Sequence, residues 1–210
     1  FCLSRGLGDV YKRQLDACST SDYNTAVGYE ALSAVTTGNG MNTAIGRVAG
    51  FSTSDGEYNT YLGASAGYHQ ATGDNNVYVG THAGFGATGE NNSNNTAVGK
   101  SALYAITTGV SNVAVGSGAG DSLTDGASNV IIGKEAGNAT TSALHTVIIG
   151  KGAANGNLTG SGGAEGTIAI GYAALQALTS GIGNVAIGYQ ALDAETVSYT
   201  HLRAHETGRN

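Results

Sequence analysis

The chain has 210 residues, with 35 Gly, no Pro, no Trp and a formal net charge of −6 at pH 7. Charged residues make up 11%, against about 25% in an average globular chain, so neither a highly charged disordered chain nor a basic nucleic-acid binder fits. The lack of Pro excludes collagen, the two Cys cannot staple this length, and no apolar run approaches the ~18 residues of a membrane helix, so this segment is not expected to insert in a membrane.

In chain order, the first element is a tail, 1–14 (FCLSRGLGDVYKRQ), and the last is another, 197–210 (VSYTHLRAHETGRN). Arg5, Lys12, Arg13, Arg203 and Arg209 lie there, five of the nine basic residues. Both strings resemble translated library-adapter sequence and are set apart from the fold as artefactual or disordered. Position 1 is Phe and not Met, so the chain is expected to be a fragment. Cys2 falls in the first tail, which leaves Cys18 as the thiol of the middle.

Between the tails, 15–196, one unit is written ten times. Its signature is a short segment closed by Gly: NTAVG at 24, NTAIG at 42, NTYLG at 59, NVYVG at 76, NTAVG at 95, NVAVG at 112, NVIIG at 129, TVIIG at 146, TIAIG at 167 and NVAIG at 184. The closing Gly residues are spaced 18, 17, 17, 19, 17, 17, 17, 21 and 17 apart. Three residues after each stands Ala, from Ala31 to Ala191, followed by Leu or Gly except at Ala154. Turn markers such as TTG, SDG and ATG then close most units.

A 17-residue period is too short for helix-pair repeats of about 33 residues, and the apolar positions alternate as in strands. The fold class predicted is all-β: a parallel β-solenoid of about ten coils, rising roughly 4.8 Å per coil. The residue before each Gly is always Val, Ile or Leu, and this column is predicted to be the core. The column between it and the Thr/Val position points the other way. It holds Ala26, Ala44, Tyr61, Tyr78, Ala97, Ala114, Ile131, Ile148, Ala169 and Ala186, with like residues in neighbouring coils. It carries no charge, so it is expected to be a dry outward stripe that packs against a partner rod. The position after each Gly is the wet one: Tyr29, Arg47, Lys100, Lys134, Lys151, Tyr172 and Tyr189 are its candidate contact residues. The thin core of a short coil makes the isolated chain marginal and an oligomer the expected native form.

Several chemistries can be weighed against this frame. The Asn column, Asn24 to Asn184, reads as a structural ladder at a coil corner in preference to a sugar- or ice-gripping strip. The Thr residues at 25, 43, 60 and 96 read as inward, which argues against ice binding. His69, His82 and His145 occupy different column positions, with no ligand spacing for a metal. Asp121, Asp125 and Glu135 lie near one another without a calcium nonapeptide. Most acids sit in turns and are not paired across a cleft, and no G-x-S-x-G elbow is present. No enzyme activity, cofactor or metal is expected.

The units NTAVGYEAL at 24–32 and NVAIGYQAL at 184–192 resemble the head repeats of YadA-like trimeric autotransporter adhesins. They resemble still more the N-T-A-[VI]-G-Y-x-A-L arrays of bacterial surface fibres and phage tail fibres. The resemblance covers about 24–195 and implies a left-handed parallel β-roll, three chains side by side, with the column Ala26 to Ala186 facing the trimer axis. The period of 17 departs from the shorter adhesin coil, and Tyr61, Tyr78, Ile131 and Ile148 are bulky for a tight axis. The function implied is a structural and adhesive module of an extracellular homotrimeric fibre, at a cell surface or on a virion. Its period lengthens at 86–94 and 151–166, where loops would meet a surface receptor or glycan. The alternative is a carbohydrate-active enzyme or an ice- or sugar-binding solenoid.

Overall fold

The computed structural model describes residues 14–18, 20–37, 40–87, 91–156, 158 and 165–194. Both predicted tails lie outside these apart from Gln14, as do residues 195 and 196 and part of the second long loop. Each signature segment forms one three-residue strand. They are β1 (Thr25–Val27), β2 (Thr43–Ile45), β3 (Thr60–Leu62), β4 (Val77–Val79), β5 (Thr96–Val98), β6 (Val113–Val115), β7 (Val130–Ile132), β8 (Val147–Ile149), β9 (Ile168–Ile170) and β10 (Val185–Ile187). The ten make a single sheet in sequence order. Every pairing is parallel and in register, so Tyr61 lies beside Tyr78 and Ile131 beside Ile148. The chain is therefore an all-β parallel solenoid with a period near 17 residues.

The closing Gly makes that stacking possible. A Cβ at Gly116 would lie 2.6 Å from the carbonyl oxygen of Gly133 in the next coil, and φ there is +134°. Only Gly accepts both the close backbone approach and that conformation. At Gly188 the nearest atom to such a Cβ is the Ala191 methyl at 3.8 Å, because no further coil among the described residues covers it.

A second hydrogen-bonded rail runs along the far side of each coil. Gly50 N–H donates to Ala66 O at 2.9 Å and Ser52 N–H to Tyr68 O at 3.0 Å. Gly67 and His69 repeat the pattern onto Ala83 and Phe85. Sheet and rail face each other across a narrow interior.

That interior corrects the predicted facing of the strands. Ala44, Tyr61, Tyr78, Ala97, Ala114, Ile131, Ile148, Ala169 and Ala186 have no exposed surface, and Ala26 at the first coil is partly buried against the same cluster. This column is the core and cannot be the face that meets a partner. The Val/Ile/Leu column predicted as core points outward instead: Val27, Ile45, Leu62, Val98, Val115, Ile132 and Ile187 are all exposed. Alternation was right and its phase was inverted. No strand position is charged and both faces carry β-branched or small residues, so alternation alone cannot say which face is inside. The width of the coil decides, because the gap between sheet and rail admits Ala at most levels.

Bulk in the strand is matched by its absence on the rail. Fourth after the closing Gly, the rail carries Leu32, Leu103, Leu175 and Leu192 where the strand centre is Ala. It carries Gly67 and Gly84 opposite Tyr61 and Tyr78, and Gly137 opposite Ile131. A Cβ at Gly67 would fall 2.4 Å from the Tyr61 ring, and one at Gly84 would fall 2.3 Å from the Tyr78 ring. The two apparent exceptions are filled from neighbouring coils. Gly50 abuts the Tyr61 ring and Leu32, and Gly120 abuts Ile131 and Leu103. Close packing of this kind leaves little room for a change of volume on either side.

Candidate functional site

The sheet's outward face has two columns. One is Thr25, Thr43, Thr60, Val77, Thr96, Val113, Val130, Val147, Ile168 and Val185; the other is Val27, Ile45, Leu62, Val79, Val98, Val115, Ile132, Ile149, Ile170 and Ile187. None of these residues is charged, and each is exposed or half-buried. An outward strand face normally alternates to polar residues. A continuous uncharged, largely apolar face along the rod, coil after coil, is what marks an interaction surface.

The Asn column is structural. Asn112 Nδ2 donates to Gly126 O at 2.8 Å and to Asn95 Oδ1 at 3.1 Å, and its backbone N–H donates to that same oxygen at 2.9 Å. The pattern repeats through Asn42, Asn59, Asn76, Asn95 and Asn129, all buried. Thr146 takes over in the eighth coil, where its Oγ1 donates to Asn129 Oδ1 at 2.7 Å. Every amide here serves the coil corner, so the column offers nothing to a ligand.

The column after each Gly lies on the surface. Arg47, Lys100, Lys134, Lys151, Tyr172 and Tyr189 are exposed and Tyr29 is half-buried. Lys134 Nζ lies 3.4 Å from Glu135 Oε1. Lys151 Nζ sits 5.8 Å from the centre of the Tyr172 ring, and Tyr172 stacks on Tyr189 at 5.1 Å. His145 faces Glu165 at 3.4 Å. Among the described residues, no three His, Cys, Asp or Glu side chains converge as a metal site.

The rail carries a strip that the sequence reading missed. Fifth after the closing Gly, Phe51, Tyr68, Phe85 and Tyr104 stack coil on coil at 5.0, 5.2 and 5.0 Å, with planes within 10°. His69 and His82 meet these rings edge-on. Burial lowers the His69 pKa from its ordinary value, which keeps the imidazole neutral against the rings. From Asp121 onward the same column turns polar. Asn138 donates to Asp121 Oδ2 at 3.3 Å, while burial raises the Asp121 pKa despite that bond. Counting from each Gly through the fifth position would have found both halves of the strip.

No protein-family model, no curated protein and no solved structure matches the chain. The aromatic strip is a poor platform for a sugar, because its ring faces are already spent on one another. The sheet face is the larger and more regular feature. Among the described residues no helix is long and apolar enough to cross a membrane. Of the two predicted loops, residues 88–90, 157 and 159–164 lie outside the described set.

Proposed function

We propose that this chain is a structural and adhesive segment of an extracellular homotrimeric fibre, of the kind found on bacterial surfaces or phage tails. It acts as a stiff spacer and display scaffold. The observation that carries the reading is the uncharged outward sheet face. Val27, Ile45, Leu62, Val77, Val98, Val113, Val115, Ile132 and Ile187 are each more than a third exposed on it, and a contiguous apolar-rich stripe of this kind marks a surface that packs against a partner. The partner proposed is a second and third copy of this chain, packed through the face led by Val27, Ile45 and Leu62 and not through the Ala26 column. The expected trimer interface thus moves to the opposite side of the strands, and its logic is unchanged: a dry stripe along a rod needs cover.

The role is mechanical and not catalytic. In-register parallel strands bonded to neighbours on both sides resist bending, and each coil leans only on the next. Sedimentation of the whole chain at micromolar concentration tests the reading. A trimer of side-by-side rods supports it, and a stable monomer overturns it. A monomer that restrains ice growth would support the ice-binding alternative, since Thr25, Thr43, Thr60 and Thr96 point outward and not inward as the sequence suggested.

A further inference from the structure

We propose that a groove on the side of the seventh to ninth coils binds a single acidic sugar residue. The groove is open to solvent on one side, holds about 220 Å³, and is lined by Glu135, Lys151, Gly152, Asn155, Tyr172, Ala173 and Gln176. It is smaller than the ~300–1,000 Å³ of a drug-sized site, so it suits one ring and not an oligosaccharide.

The groove has a local cause. The second position after each closing Gly holds Glu30, Val48, Ser65, His82, Ser101, Gly118, Glu135, Gly152, Ala173 and Gln190 in successive coils. Only at Gly152 and Ala173 do two minimal side chains follow one another. A Cβ on Gly152 would meet nothing within 4 Å. The floor is thus open in these coils, whereas a Cβ on Gly118 in the sixth coil would meet the Asn138 and Glu135 side chains at 3.7 Å.

Its walls match a hydroxylated anion. Asn155 and Gln176 carry amides that can both donate and accept. Asn155 Oδ1 is enclosed and has no hydrogen-bond partner, so this amide has unused capacity at the wall, and its terminal torsion is soft. Glu135 is held by Lys134 at 3.4 Å, which offsets its charge. Lys151 also lines the groove, and its ammonium favours a carboxylate there. The Tyr172 ring has Lys151 on one side and Tyr189 on the other, so it contributes an edge and a hydroxyl more than a stacking face.

The site would give the fibre proposed above a glycan contact, but its test does not depend on oligomeric state. The whole chain is titrated with glucuronate, glucose and acetate and followed by amide NMR shifts. Glucuronate is expected to bind in the millimolar range, with glucose and acetate each about tenfold weaker or worse. Gly152→Gln fills the floor with the side chain that Gln190 already places at this position with φ +50°, so the fold should persist, as circular dichroism can verify. It should weaken glucuronate about tenfold or more. Lys151→Gln should erase the preference for glucuronate over glucose while leaving weak sugar binding. Glucuronate binding no tighter than acetate overturns the proposal. So does a folded Gly152→Gln chain that binds like the original, or the absence of shifts at groove residues.

Discussion

If strand bulk and rail bulk are matched, exchanging them should be tolerated where changing either alone is not. Tyr61 and Gly67 make the sharpest test. Tyr61→Ala empties a fully buried ring site and should cost about 3–5 kcal/mol, as large aromatic truncations do. Gly67→Leu drives a side chain into a ring whose Cε1 would be 2.4 Å from the new Cβ. The backbone itself accepts the change, because Leu32, Leu103 and Leu175 occupy the same position with φ of 49°, 51° and 53°. Overpacking should nonetheless cost about 3 kcal/mol or more. The double variant recreates the Ala–Leu level of the fifth coil, Ala97 with Leu103, and should lose only about 2 kcal/mol: left-handed strain at Leu and a gap beside Gly50. The coupling energy is then about 4 kcal/mol, well outside ordinary additivity. Urea midpoints of the whole chain give the global effect, and amide exchange in the third and fourth coils gives the local one, since repeat arrays can open piecewise. A double variant as unstable as the two single losses added together would refute reciprocal packing.

The other expectations concern the sheet face, the corner ladder and the buried phenols. Val115→Lys with Ile132→Lys should abolish the proposed trimer in sedimentation while costing the single chain only about 1 kcal/mol, because both side chains are over a third exposed although the two Lys would face each other on paired strands; a trimer that survives the pair would move the proposed interface elsewhere. Asn95→Ala should cost about 2–5 kcal/mol by stranding the Gly109 carbonyl and the Asn112 N–H, now bonded at 2.9 Å each, and should speed exchange of the Asn112 amide; Asn95→Thr should recover part of this, as Thr146 does naturally. Tyr61 OH lies by the Thr53 hydroxyl without a hydrogen bond of ordinary geometry, whereas Tyr78 OH bonds Asn92 and Gln70, so Tyr61→Phe should be close to neutral and Tyr78→Phe should cost about 1–2 kcal/mol in urea unfolding. Burial raises both phenol pKa values above the ordinary 10. The unfolded phenols ionise first, so stability is intact below pH 10 and falls above it, by about 2.7 kcal/mol per pH unit for two groups. Replacing both by Phe should flatten this alkaline slope, and an unchanged slope would mean other groups set it.

Much of this molecule is legible in its residues. A Gly at the end of each signature segment, spaced near 17, allows only a repeat whose neighbouring backbones touch, and the alternating triplets before it allow only strands. Parallel, in-register stacking follows from identical units laid end to end, and the Asn column reads correctly as a corner ladder because only a repeated amide can both donate and accept along a stack. The direction of each strand's side chains was not legible. Thr-Ala-Val and its variants carry no charge at any position, so hydrophobic alternation has two solutions, and only the distance between sheet and rail selects one: Ala inside, Val and Ile outside. The same distance explains why Tyr61 is buried opposite Gly67. The aromatic strip and the groove at Gly152 arise from residues far apart in sequence that become neighbours only when one coil is set upon the next.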